Sequence, residues 1–233
     1  DQYLNNYLTQ KGVTITKELG GGDDGVAYLL NSGNVLKVTK NPTEASTANQ
    51  MVGKQYQHLV NIYEVYQVPN SQMFYITQQY LNVDKNDSIY FDRFMQYMMK
   101  YLEYDYSQIN PAYAEMEDPR EVITLFTDEN FLSSFYSAIQ QDNTYVDGED
   151  KRMFLDTLVQ CSQMMNELKT IPNASPDLTY TNVGFDENGV LKLFDIRGGN
   201  NVTENINEDD EEENGLSEVD MIIQQAKTNG VYM

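Results

Sequence analysis

Between residues 13 and 82 apolar and polar positions alternate in short runs broken by turn residues, the pattern of strands half-buried on one face. Val13-Thr-Ile-Thr reads as a strand, Gly20–Gly25 as a tight glycine turn, and Val26-Ala-Tyr-Leu-Leu as a second strand. Asn31-Ser-Gly-Asn then reads as a hairpin turn into Val35-Leu-Lys-Val. Asn41-Pro42-Thr43-Glu44 has the signature of a helix start, with an N-cap asparagine, proline at the first helical position and a carboxylate in the first turn; the helix is expected to run to about Gly53. Leu59–Val68 and Met73–Thr77 are two further β-like runs separated by the Pro69-Asn-Ser turn. A five-stranded antiparallel sheet with one helix is the economical reading of residues 1–82.

From about residue 88 the period lengthens to that of helices rich in Tyr, Met and Phe. Phe154, Leu158, Cys161, Met165 and Leu168 recur at steps of four, three, four and three, so they share one face of a helix over residues 151–169 and read as core. Residues 179–195 return to β character around the turn Asp186-Glu-Asn-Gly189. Residues 204–214 are nearly all acidic or amide and read as a solvated loop, followed by a short helix at about 216–228.

Composition narrows the function classes. The formal charge of −21, from 15 basic and 36 acidic residues, speaks against binding nucleic acid through its phosphates and for solubility or a basic partner. No apolar run approaches the roughly 18 residues of a membrane span, and the start of the chain lacks a signal-peptide pattern, so no membrane association and a cytoplasmic location are expected. The sequons at Asn173 and Asn201 then read as chance. Cys161 has no disulfide partner and reads as a buried thiol; the single histidine, His58, lies far from it.

Three local patterns carry chemistry. Gly20-Gly-Gly-Asp-Asp-Gly25-Val-Ala matches G-x-G-x-x-G-x-A between two strands, where a glycine turn can fold over phosphates and offer backbone N–H groups, although clustered glycines also make an ordinary hairpin. Lys37 lies in an apolar strand and needs an anion. Glu44 is the only acid between Lys37 and Glu64, and it either pairs with Lys37 or completes a capping box with Asn41. Downstream, Asp177 precedes Asn182 by five residues and Asp195 follows thirteen later, beyond a hairpin. Three oxygen-bearing side chains thus meet at one edge, a set suited to Mg²⁺ and to a base near an incoming hydroxyl.

In this order the patterns resemble the protein-kinase-like superfamily, in its compact and divergent bacterial or phage form, over residues 13–82 and 150–198. The resemblance implies an α+β bilobal fold: an N-lobe over 1–82 and a reduced, mainly helical C-lobe over 83–233. It implies that Gly20, Gly22 and Gly25 cover ATP phosphates, that Lys37 contacts them while paired with Glu44, and that Gln78–Leu81 is the hinge meeting adenine through Gln79 and Leu81. Asp177 would be the catalytic-loop aspartate, with Asn182 and Asp195 the Mg²⁺ ligands. The implied activity is ATP·Mg-dependent transfer of the γ-phosphoryl to a Ser/Thr-type hydroxyl, most simply on a protein substrate.

The departures are several. H-R-D is Ser175-Pro176-Asp177, Thr179 stands where many protein kinases have Lys, D-F-G is Asp195-Ile196-Arg197, no A-P-E follows, and only 38 residues remain after Asp195. They keep two other readings open: a nucleotide-gated binding module without turnover, and an acidic protein acting on a basic partner from a kinase-like scaffold.

Overall fold

A computed structural model describes residues 2–22, 25–83, 85–103, 125–143, 148–175 and 182–198. Strands β1 (Ile15–Gly22), β2 (Gly25–Leu30), β3 (Val35–Thr39), β4 (Ile62–Gln67) and β5 (Phe74–Gln78) form one antiparallel sheet in the order β1-β2-β3-β5-β4. The expected α+β class and five-stranded sheet are therefore present. Strand period two divides β3 between the two faces of the sheet. Leu36 and Val38 pack with Tyr75 on one face, whereas Val35 and Lys37 turn to the other, where a cleft opens.

Two helices, not one, accompany this sheet. Helix α1 (Gln2–Lys11) covers the Leu36 face, and α2 (Pro42–Met51) the opposite one. In α1 only Leu4, Tyr7 and Leu8 form the apolar stripe. Tyr7 carries most of the contact, its ring centroid lying 5.2 Å from that of Tyr66 and 5.1 Å from that of Tyr75. Its hydroxyl donates to Glu64 Oε2 at 2.9 Å, and Lys11 Nζ donates to the other oxygen of the same carboxylate at 2.6 Å. Burial pushes the Tyr7 phenol up to about 12.

Helix α2 starts as the sequence indicates. Asn41 Oδ1 accepts from the N–H groups of Thr43 and Glu44 at 3.0 and 3.2 Å, and Pro42 fills the first helical position, where no N–H is needed. It ends at Met51, two residues before Gly53, whose φ of 76° breaks the helix.

Helices α3 (Lys85–Tyr101), α4 (Glu129–Gln141) and α5 (Gly148–Lys169) form the second layer. Phe94 of α3 stands among Phe91, Phe126, Phe135 and Phe154, with ring centroids 5.8 to 6.2 Å away. All five residues of the α5 stripe are buried. Burial pushes the Cys161 thiol well above its ordinary range, with the Asp156 charge adding to the shift, so the cysteine is an inert core group.

Short strands complete the described chain: β6 (Ala174–Ser175) pairs with β9 (Arg197–Gly198), and β7 (Val183–Phe185) with β8 (Leu191–Leu193). The β7–β8 turn falls at Asp186–Gly189 as its sequence implies, with Asp186 Oδ1 accepting from the amides of Asn188 and Val190, both at 2.9 Å. The acidic run 204–214 and the expected helix at 216–228 lie outside the described residues. No helix among the described residues is long and apolar enough to cross a membrane.

Candidate functional site

A cleft of about 620 Å³ opens between β1, β2, β3, the segment after β5 and the residues that follow β8. Its glycine wall is mostly strand rather than loop, because β1 runs through Gly22 and β2 begins at Gly25, so that Gly20 pairs with Ala27, Gly21 with Val26 and Gly22 with Gly25. Glycine is needed here for close backbone approach. A Cβ on Gly25 would lie 2.0 Å from the Val38 carbonyl oxygen, and one on Gly21 3.3 Å from the Gly25 oxygen.

The Val38 oxygen belongs to a paired strand and cannot swing aside. Gly25→Ala is therefore expected to destabilise the fold by about 1–3 kcal/mol, whereas Gly148→Ala, whose Cβ meets no atom of the described residues, leaves the thermal midpoint unchanged or raised. Equal midpoints for Gly25→Ala and the parent chain would contradict the close contact.

Lys37 projects into this cleft from β3. Its ammonium contacts Glu44 Oε1 of α2 and, at 2.6 Å, Asp195 Oδ1 just beyond β8. Burial alone would lower the Lys37 pKa, but the two carboxylates outweigh it and hold the group above its ordinary value. Glu44 shows the opposite balance: burial raises its carboxyl more than Lys37 and the Thr39 hydroxyl, at 2.8 Å, lower it.

The two readings of Glu44 separate cleanly here. The N–H of Asn41 donates to Thr39 Oγ1 at 3.1 Å rather than to Glu44, so the reciprocal arm of a capping box is filled by Thr39 and Glu44 is turned to Lys37.

Asp195 takes a φ of 60°, a left-handed conformation costing an L-residue about 1–2 kcal/mol. What precedes it is held firmly. The loop after α2 is clamped by the Glu167 carboxylate, which accepts from the amides of Gln57 and His58, both at 2.8 Å. Lys192 Nζ donates to the carbonyls of Tyr56 at 2.6 Å and Leu59 at 3.2 Å. Burial lowers the Lys192 pKa. Leu193 exchanges backbone bonds with the same loop, its N–H to His58 O and its O from Val60 N–H, each at 2.9 Å. The helix carrying Glu44 and the strand leading to Asp195 are thereby tied together, and Lys37 spans both. None of these long-range pairs has a signature in the sequence.

Along the cleft's edge, Gln78–Leu81 forms a lining wall. The Gln79 N–H donates to Asn61 O at 2.9 Å, and Asn82 exchanges N–H···O bonds with Phe185 at 2.8 and 2.9 Å. The Gln79 carbonyl and the Leu81 N–H lie between these two anchors. Gly184 makes the second anchor possible, since a Cβ there would sit 2.9 Å from Leu81 Cβ.

Of the residues expected to act together, Gly20, Gly25, Lys37, Gln79, Leu81, Asn182 and Asp195 line this one cleft, and Glu44 joins it through Lys37. Gly22 closes the glycine ladder beside it. Asp177 and Thr179 lie outside the described residues. The flanks of that segment are in place: Ser175 pairs with Arg197, two residues past Asp195, and Asn182 is in the cleft, its carbonyl accepting from Phe194 N–H at 2.9 Å. Sequence reasoning missed Lys17, Leu19 and Val83 as lining residues.

Chemically, two carboxylates face one ammonium, with side chains only 17% (Lys37), 6% (Glu44) and 20% (Asp195) exposed, and with Lys17 and Asn182 lining the same cleft. That donor set suits a hard cation bound with a phosphate-bearing ligand better than a free anion. Among the described residues no three His, Cys, Asp or Glu side chains converge to hold a metal on their own. No protein-family model matches the chain, and no curated protein does.

Proposed function

We propose that the cleft binds ATP with Mg²⁺ and that the protein is a phosphotransferase of protein-kinase type, moving the γ-phosphoryl to a Ser/Thr-type hydroxyl. The reading rests above all on one observation: Lys37 is held between Glu44 and Asp195 in a cleft that Gly20, Gly21 and Gly25 also line. In this reading Gln79 O accepts from the adenine amino group and Leu81 N–H donates to the ring, with Leu19 and Val26 enclosing the base. Glu44 keeps the Lys37 ammonium aimed at the phosphates.

Asn182 and Asp195 supply oxygens for Mg²⁺, which when bound neutralises phosphate charge. The second carboxylate beside Lys37 favours such a cation, and with no three His, Cys, Asp or Glu side chains converging among the described residues the donor set is one for a nucleotide-carried metal. Asp177 would hold the substrate hydroxyl and take its proton as that oxygen bonds to the γ-phosphorus and the bond to the β,γ-bridging oxygen breaks, ADP leaving.

The sheet-plus-helices arrangement is the bilobal kinase-like fold in this reading, with the division near residue 82. Binding without turnover keeps a specific argument in Thr179, which lacks the charge that lysine would bring to the transferring group. Transfer of label from γ-labelled ATP to a generic hydroxyl-bearing protein acceptor, or to the chain itself, separates the two. Mg²⁺-dependent incorporation is expected. Saturable ATP binding with no incorporation under any condition would reduce the protein to a binding module.

A further inference from the structure

A second cavity, of about 180 Å³, lies between α3, α5 and the β7–β8 hairpin and shares no lining residue with the cleft. Its size slightly exceeds the roughly 150 Å³ that accepts a benzene ring. Tyr90 and Phe91 of α3 and Phe185 of β7 supply aromatic walls, and Met153 of α5 a thioether. One carboxylate, Asp156, joins them.

Asp156 Oδ2 accepts from Gln160 Nε2 at 2.7 Å, while Gln160 Oε1 accepts from the Leu191 N–H at 2.8 Å. The hairpin thus fixes the amide, and the amide fixes the carboxylate. No ion pair reaches Asp156 among the described residues; the nearest influences are the Gln160 bond and the more distant His58 and Arg152. Burial raises the Asp156 carboxyl above its ordinary value, and the Gln160 bond and the influences of His58 and Arg152 offset only part of that.

A hollow of mixed lining, with three aromatic residues and a thioether beside one carboxylate, is complementary to a cation carrying apolar substituents: the rings and Met153 cover the methylene or methyl groups, and the carboxylate neutralises the charge. Neutral ligands of that size would leave Asp156 unpaired, and compact, strongly hydrated metal ions would gain little from the rings. We infer that this cavity is a binding site for an alkylammonium group, from either a free amine or a lysine side chain of a partner.

The test is titration of the full chain, methyl-labelled at methionine and without nucleotide, followed through the Met153 signal assigned with Met153→Leu. The probes are n-butylammonium, 1-butanol as its neutral counterpart, and a lysine peptide beside its norleucine analogue. Saturable shifts are expected for the ammonium probes, with butanol and the norleucine peptide at least about tenfold weaker. Asp156→Asn, which keeps an acceptor for Gln160, should weaken the ammonium probes about tenfold, and Phe185→Leu should weaken them by a smaller factor.

Tighter saturation by the lysine peptide than by butylammonium assigns the ammonium to a protein partner; the reverse assigns it to a free amine. Equal binding of butanol, indifference to Asp156→Asn, or the absence of a saturable Met153 shift would overturn the inference. Because nucleotide is absent throughout, a cleft that fails to bind ATP leaves this result untouched.

Discussion

Under the proposed function, Lys37→Met is expected to lower the affinity for Mg·ATP at least about 30-fold, since it would remove the charge that meets a desolvated phosphate. The same substitution removes the ammonium shared by Glu44 and Asp195, so weaker binding could arise from a damaged fold. The pH dependence distinguishes the two. Burial already raises the Glu44 carboxyl, and without Lys37 nothing comparable lowers it.

A group whose folded pKa is raised contributes stability that is full below its unfolded value and is lost as pH rises through the folded one. Lys37→Met should thus be nearly as stable as the parent at acidic pH and lose stability toward neutrality. Adding Glu44→Gln should remove that loss without restoring nucleotide affinity. Thermal melts across pH, run beside the binding titration, check both. A double variant that regains affinity would take Lys37 out of the site.

Asp177→Asn is expected to leave ATP affinity within about twofold and to lower phosphoryl transfer about 10²-fold or more, because asparagine can still orient a hydroxyl but cannot accept its proton. The split between binding and transfer is the informative part. Transfer by the variant at the parent rate would remove Asp177 from the mechanism. Loss of affinity equal to the loss of transfer would instead give it a part in holding nucleotide.

How much of this was legible depended on whether the signal was local. Alternation and the Asn31–Asn34 and Asp186–Gly189 turns marked strands, and Asn41-Pro42 marked the start of α2, since each is decided within a few residues. Helix α1 passed unnoticed because Leu4, Tyr7 and Leu8 are a short stripe in a polar decapeptide, and what buries them is Tyr66 and Tyr75, far along the chain. Leu59 and Val60 read as strand but bond to β8 instead of joining β4, a choice made by the long-range partner Leu193.

At the site, residue types and order placed Lys37, Glu44 and Asp195 on the same candidate roster. What the sequence could not convey was the capping alternative's outcome, which turned on Thr39 taking the Asn41 N–H. The left-handed backbone of Asp195, and the Glu167 and Lys192 clamps formed across more than a hundred residues, were equally hidden.

Calorimetric titration of ATP into the purified chain, with and without Mg²⁺ and beside Asp195→Asn, tests the central claim most directly. The account predicts saturable binding that Mg²⁺ strengthens and a loss of that strengthening in Asp195→Asn. Absence of binding in both conditions, or an Mg²⁺ effect that survives the substitution, would contradict it.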